Sequence, residues 1–142
     1  MSEDLKYLHF NNDQANRKLS KKQARANRSR TLAVLSLSPD EVKEHAANFS
    51  SLEIDTQYSI ELSVGVAQTS LDDNYSRKIG RELSSSNLKT VELEVIGASI
   101  NKEHIFLFFA EYEGVKLAVR VNRRTGFSTV VGKMNEPANK AK

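Results

Sequence analysis

The residues of this chain that could do chemistry are above all its cations, and seven of them lie between positions 17 and 30. No Asp or Glu occurs from residue 14 to residue 39. On a helix, the first six of the seven would share an arc of about 140°. Such a face can lie along a phosphate backbone, where each neutralised phosphate releases counterions. The seven are Arg17, Lys18, Lys21, Lys22, Arg25, Arg28 and Arg30.

The ordinary interpretation of this run is a solvated helix surface. Like charges four residues apart, such as Arg17 and Lys21, destabilise an isolated helix. Because no nearby acid relieves this repulsion, the pattern favours an anionic partner. The chain contains no base-reading motif, so we expect contacts to phosphates that are largely independent of nucleotide sequence.

Two smaller basic clusters are further candidates for nucleic-acid contacts. Arg77, Lys78 and Arg81 lie in the segment NYSRKIGR, where they could extend the basic surface or form the wet side of an amphipathic helix. Arg123 and Arg124 lie at a predicted hairpin tip, which could enter a groove or be a solubilising turn.

Aromatic rings are concentrated in the segment HIFLFFAEY, and aromatic side chains on a sheet can stack on nucleic-acid bases. The nearest charges along the chain are Lys102, Glu103 and Glu111, so the rings lack the interleaved basic residues of RNA-recognition sheets. We therefore expect a core strand here. The rings are Phe106, Phe108, Phe109 and Tyr112.

Catalytic and metal sites are not indicated by any motif. The three histidines lie far apart, and phosphate-loop, dinucleotide, nucleophile-elbow and zinc-protease patterns are absent. Glu92 with Glu94, or Asp72 with Asp73, could bind a cation, although exposed carboxylates and helix caps are their ordinary roles. We expect a protein that is not an enzyme and that has no metal or cofactor.

Positive charge is concentrated near the N-terminus, although the 142 residues carry a net charge of only +3. Residues 1–38 hold eight Lys or Arg against three Asp or Glu, a sum of +5, and residues 39–142 hold thirteen against fifteen, a sum of −2. This asymmetry is typical of a segment that meets nucleic acid or an acidic partner. The absence of cysteine, of a long apolar run and of a secretory signal predicts a cytoplasmic protein that does not use a membrane.

The helices that must position these residues begin with the basic run itself. Good helix formers without Gly or Pro predict a helix over 13–30. Residues 31–37 are apolar and ambiguous between helix and strand, with helix slightly favoured. The capped start in residues 38–41 predicts a second helix over 39–49.

Strands are predicted by alternation of apolar and polar residues. Gly97 is a candidate bulge, and residues 104–112 are apolar on both faces, which predicts a central strand covered on both sides. The predicted strands cover 57–68, 89–100, 104–112, 115–121 and 127–131.

Together these elements predict an α+β fold, with a four- to five-stranded, mainly antiparallel sheet and two or three helices that include the basic N-terminal helix. The last helix, over 74–85, would pack through a stripe of Tyr75, Ile79 and Leu83. The predicted divisions are an N-terminal arm over 1–12, a single α+β domain over 13–131 and a disordered C-terminal tail over 132–142.

One segment resembles a known group of proteins. VGVAQTSLDDNYSRKIGREL, residues 64–83, is similar to a pattern in small, mostly uncharacterised bacteriophage-encoded proteins. The resemblance implies a phage or mobile-element origin and brings no activity with it. Its matching positions are Arg77, Lys78, Gly80 and Arg81.

The sequence thus predicts a nucleic-acid-binding accessory or regulatory protein whose basic helix contacts phosphates. The alternative is a protein-binding modulator or inhibitor, host-directed if phage-encoded, that docks the same helix on an acidic protein surface. A third interpretation is a component of a larger particle whose tails become ordered on assembly. The sequence does not distinguish DNA from RNA as the ligand, and it indicates neither a nucleotide preference nor an oligomeric state.

Overall fold

Seven strands, each antiparallel to the next, form one sheet in the order in which they occur along the chain. The computed structural model describes residues 5–70 and 73–134. In these ranges the strands are β1 (Leu5–Phe10), β2 (Arg30–Leu35), β3 (Ser59–Gln68), β4 (Lys89–Ile100), β5 (His104–Phe109), β6 (Val115–Asn122) and β7 (Ser128–Met134). The helices there are α1 (Asp13–Asn16), α2 (Lys21–Ala26), α3 (Pro39–Ser50) and α4 (Arg77–Ser86). None of these helices is long and apolar enough to cross a membrane.

The sheet curls until its first and last strands meet, which makes a nearly closed barrel. At this seam a Cβ on Gly132 would lie 2.8 Å from the side chain of Leu8, and Asn12 Nδ2 donates to Met134 Sδ at 3.3 Å. The predicted α+β fold, a four- to five-stranded sheet with helices packed on it, is therefore wrong. Closure brings the two edge strands together, which removes most of the open sheet edge.

The hydrophobic core is the inside of this barrel. Alternate side chains of each strand point inward, and those of Leu32, Leu107 and Phe109 are fully buried there. Val42 and Ala46 of α3 insert into the same core, and α3 contacts β4, β5 and β6. Burial of these aliphatic and aromatic groups, at about 25 cal/mol per Å², is the main stabilising contribution.

The start of α3 confirms its prediction. Ser38 Oγ accepts from the backbone N–H of Glu41 at 3.2 Å, and Glu41 Oε1 accepts from the backbone N–H of Ser38 at 3.0 Å. Pro39 lies in the first turn. This reciprocal capping box satisfies N–H groups that have no partner within the helix.

The basic helix predicted over 13–30 is wrong, because the chain forms two short helices instead. α1 ends at Asn16, and Ser20 starts α2 with a second capping box, formed with Gln23. Like charges at helical spacing and a Ser that caps well both disfavour a continuous helix through this point. α2 ends at Ala26, shortly before β2 begins.

Residues 31–37, for which helix was slightly favoured, lie largely in β2. This strand is paired on both sides and buried on both faces, so its sequence shows no alternation to distinguish strand from helix. The N-terminal arm predicted over 1–12 is also wrong where the structure describes it. Leu5–Phe10 pair with β2 along their full length.

The other strands lie close to their predicted positions. β3 to β7 correspond to the five predicted segments. The register between β4 and β5 shifts beside Gly97, which confirms the bulge, and Gly126 adopts a φ of 73° in the β6–β7 hairpin. β7 extends to Met134, so the tail predicted from residue 132 begins with strand. Residues 135–142 lie outside the described part of the chain.

α4 packs against the outer face of β1, β2 and β3 at very short range. A Cβ on Gly80 would collide with the side chain of Thr31, and one on Gly65 would collide with the backbone carbonyl of Ser84. Glycine therefore stands where helix and sheet come closest.

The helix predicted over 74–85 begins later and turns a different face to the sheet. Ser76 caps it by accepting from the backbone N–H of Ile79 at 3.3 Å. Ile79 and Leu83 of the predicted packing stripe stay 55% and 49% exposed, so the stripe is wrong. The buried face of α4 consists of small residues, whose contribution a hydrophobic pattern does not register.

Candidate nucleic-acid interface

Five exposed cations follow one another on α2 and on the turn that joins it to α1. Within the described ranges, none of their side chains has a hydrogen-bonding or ion-pairing partner. They lie at the end of the barrel where β1 ends and β2 begins. We call these five residues the basic segment: Arg17, Lys18, Lys21, Lys22 and Arg25.

The nearest acid in the sequence, Asp13, is occupied by internal hydrogen bonds. Its Oδ1 accepts from Ser29 Oγ at 2.7 Å, and its Oδ2 accepts from the backbone N–H of Tyr75 at 2.8 Å. Asp13 therefore fixes α1 to the segment just before α4, and its two carboxylate oxygens accept from groups outside the basic segment.

This link brings the second basic cluster toward the basic segment. Arg77, Lys78 and Arg81 are exposed on α4, which starts two residues after Tyr75. A cleft of about 250 Å³ lies between the basic segment and residues 69–70 and 73–74, and its lining includes Arg17 and Lys21 as well as the carboxylates of Asp13 and Asp73. The hydrogen bond from Tyr75 to Asp13 thus places the start of α4 at the same end of the barrel as the basic segment.

Arg30, although predicted as a ligand, is a structural residue. It is only 3% exposed. Its guanidinium donates to the backbone carbonyls of Arg28 at 2.9 Å, Glu113 at 2.7 Å and Ala26 at 3.2 Å. Burial lowers the pKa of Arg30, and the carboxylate of Glu113 partly opposes this shift. Arg30 joins the end of α2 to the β5–β6 turn and cannot reach a phosphate.

Arg28 occupies an intermediate position. Its side chain is half-buried, and its Nε atom is buried with no hydrogen-bond partner in the described part of the chain. Arg28 therefore offers only part of its guanidinium to an external partner.

The third predicted cluster lies at the opposite end of the barrel. Arg123 and Arg124 occupy the β6–β7 hairpin, and Arg123 Nη1 donates to the carbonyl of Asn101 in the β4–β5 turn at 2.7 Å. The residue that begins β7, Ser128, donates to the carbonyl of Leu37, which follows β2. The structure does not bring this hairpin to the basic segment.

A polar trio lies between α4 and the outer face of β1 and β2. His9 Nδ1 lies 2.6 Å from Tyr75 Oη and 3.2 Å from Thr31 Oγ1, and the two hydroxyls are 2.8 Å apart. Burial lowers the pKa of His9, and the charges of Arg77 and Arg81 lower it further. We interpret this trio as part of the α4 packing, because all its polar atoms satisfy one another.

The aromatic strand was only half correctly predicted. Phe109 lies in the core, but Phe106 and Phe108 are on the outer face of β5, and Phe108 is 38% exposed. No helix of the described residues packs on that face, since α4 contacts β1 to β3 and α3 packs on the inside. The strand is therefore covered on one side only. The sequence did carry a signal for this uncovered face. Apolar residues point to both sides of β5, and the chain has few helices that could cover the outer side.

Carboxylates are also distributed unevenly on the outer surface. Glu92 and Glu94 are exposed on β4, and Glu61 of β3 lies directly opposite Glu92. No group of three or more His, Asp or Glu side chains in the described ranges could hold a metal ion. These acids therefore mark a negative area beside the strands that carry the outer-face rings.

No protein-family model, curated protein or solved structure matches this chain.

Proposed function

We propose that this protein binds nucleic acid by contacting phosphates through the basic segment. The observation that carries the proposal is five exposed cations, close together on the surface and without an acidic partner among the described residues. Keeping like charges close destabilises the folded chain. A phosphate backbone would offset this repulsion and release counterions, which is the main source of sequence-independent affinity.

The two short helices favour contacts with the backbone over base reading. α2 has six residues and α1 has four, so neither presents the long recognition surface that a groove-reading helix needs. Arg77, Lys78 and Arg81 extend the same surface, because Asp13 holds the segment just before α4 against α1. Arg30 lies outside this surface because it is buried, and Arg123 and Arg124 lie at the other end of the barrel from the basic segment.

A charge-reversal experiment tests the proposal. Lys21→Glu, Lys22→Glu and Arg25→Glu are combined in one variant. Lys43→Glu, Lys89→Glu and Lys102→Glu, which are also exposed, form a control of equal net charge. Fluorescence anisotropy with a labelled oligonucleotide should show affinity reduced about a hundredfold or more by the first variant and about threefold or less by the control.

Equal losses in the two variants would mean that net charge alone attracts nucleic acid and would contradict the proposal, as would unchanged affinity in the first variant. If the native protein binds no oligonucleotide at low salt but retains an acidic protein from nuclease-treated lysate, the alternative of a protein-binding modulator replaces it.

A further inference from the structure

The outer face of β5, β6 and β7 carries side chains that the proposed phosphate contacts do not use. The pairing register places Phe108 beside Ala118, and Phe106 beside Arg120. In the next strand, Val131 lies beside Ala118 and Thr129 beside Arg120. The centre of this face is thus a column of rings with a column of small and basic side chains alongside it.

The rings form a continuous strip along β5. The ring centroids of His104 and Phe106 are 5.7 Å apart, and those of Phe106 and Phe108 are 5.6 Å apart with the planes only 7° from parallel. We call His104, Phe106 and Phe108 the aromatic strip. Phe108 is exposed and the other two rings are half-buried, and such an uncovered apolar strip is unfavourable in water unless a partner buries it.

Charge around the aromatic strip selects the chemistry of that partner. β5, β6 and β7 contain no Asp or Glu. Lys116, Arg120 and Lys133 are exposed on the outer face, and Lys116 lies directly opposite Lys133. Glu92 and Glu94 of β4 lie on the other flank of the rings. An anion that also has flat apolar groups would therefore lie over the rings on the β6 and β7 side, where the cations are.

β6 and β7 separate the aromatic strip from the basic segment. β7 ends at Met134, whose Sδ accepts from Asn12 at 3.3 Å, and α1 begins with the next residue, Asp13. Lys133 and its neighbour Lys116 therefore lie between the rings and the basic segment. A strand that leaves the rings past these lysines reaches the cations of the basic segment.

We propose that the aromatic strip binds the unpaired bases of a single-stranded nucleic acid, with Arg120, Lys116 and Lys133 holding its phosphates. The inference rests on the proposed function, because both surfaces would share one ligand, and it adds a preference for single strands. Base stacking on exposed rings is tolerant of sequence, and a duplex keeps its base faces stacked inside.

A tryptophan reporter tests stacking directly. The chain contains no Trp, so Phe108→Trp places a single indole in the aromatic strip, and Phe49→Trp on α3 provides a control inside the barrel. Titration with oligo-dT should quench the emission of Phe108→Trp in a saturable way. It should leave that of Phe49→Trp unchanged, because Phe49 packs against Tyr58 and the core on the other side of the sheet. Binding by anisotropy without quenching of Phe108→Trp would overturn the inference.

A second pair of variants distinguishes the effect of aromatic rings on binding from the effect of apolar side chains in general at the same positions. Phe106→Leu with Phe108→Leu removes the rings but keeps apolar bulk, whereas Phe106→Tyr with Phe108→Tyr keeps the rings. The leucine variant should bind oligo-dT about tenfold or more weakly, as expected for loss of stacked bases, and a hairpin duplex about as well as before. The tyrosine variant should bind both ligands within about threefold of the native protein.

The outcomes distinguish this inference from the proposed function. Unchanged binding of oligo-dT by the leucine variant, together with a large loss in the Lys21, Lys22 and Arg25 reversal, would overturn the aromatic strip and leave the basic segment intact. A native dimer that the leucine variant converts to monomer would show that a second copy covers the rings, which also overturns the inference. Absence of any nucleic-acid binding overturns both.

Discussion

Arg25 and Arg30 lie five positions apart and have opposite surroundings. Arg25 is exposed on α2, whereas the guanidinium of Arg30 is enclosed by three backbone carbonyls. Residue type alone did not distinguish them, because the carbonyl of Glu113 comes from a turn far along the chain. The five residues of the basic segment could be predicted from composition and spacing, but the burial of Arg30 depends on contacts that the local sequence does not contain.

Arg30→Gln should lower the free energy of unfolding by about 2–4 kcal/mol, because buried carbonyls lose a charged donor. Its effect on oligonucleotide affinity should be small. Arg25→Gln should do the reverse, changing stability by about 0.5 kcal/mol or less and weakening binding. Urea unfolding and anisotropy measure the two quantities. A stable Arg30→Gln variant with impaired binding would place Arg30 in the interface after all.

His9 gives the stability a dependence on pH. Burial and the nearby Arg77 and Arg81 lower its pKa below the ordinary 6.5, so the unfolded chain binds a proton more readily than the folded one. The contribution of His9 to stability is complete above pH 6.5 and is lost as the pH falls through its lowered folded-state pKa. The melting temperature should therefore fall over this range in the native protein. His9→Gln should flatten that part of the profile, and an unchanged profile would contradict the assignment.

At the scale of elements, sequence patterns located strands better than helices. The alternation in β3 and β4 and the capping box of α3 are local signals and were confirmed. The prediction of a single basic helix was wrong because Ser20 caps a second helix within the predicted range. The predicted packing face of α4 was wrong because Gly80 and Ser84 face the sheet, whereas the apolar residues Ile79 and Leu83 do not.

The close packing of α4 makes a testable prediction. Gly80→Ala should lower stability by about 1–3 kcal/mol, because the new methyl group collides with the Thr31 side chain. Thr31→Ala in the same chain should recover part of that loss, since the obstacle is a side chain. Gly65→Ala meets backbone instead, and no such substitution should rescue it. Thermal unfolding of the single and double variants checks this, and strictly additive effects at Gly80 and Thr31 would contradict the contact.

At the scale of the whole molecule, the closure of the barrel was beyond the reach of local patterns. It depends on β1 meeting β7 from the other end of the chain, and the half-buried residues of β1 give no clean alternation. Closure also decides which faces stay open. One face of β5 lines the core, whereas the rings on its outer face stay uncovered. These rings lie beside cations of β6 and β7 that are distant in sequence.

The salt dependence of oligonucleotide binding tests the central claim most directly. If the five cations of the basic segment contact phosphates of a single strand, the plot of log K against log salt concentration should have a slope of roughly −3.5. It should steepen to about −5.6 if three further cations, either those of α4 or those beside the aromatic strip, also take part. The Lys21, Lys22 and Arg25 reversal should flatten that slope. No binding at low salt, or binding whose affinity does not change with salt, would contradict the account.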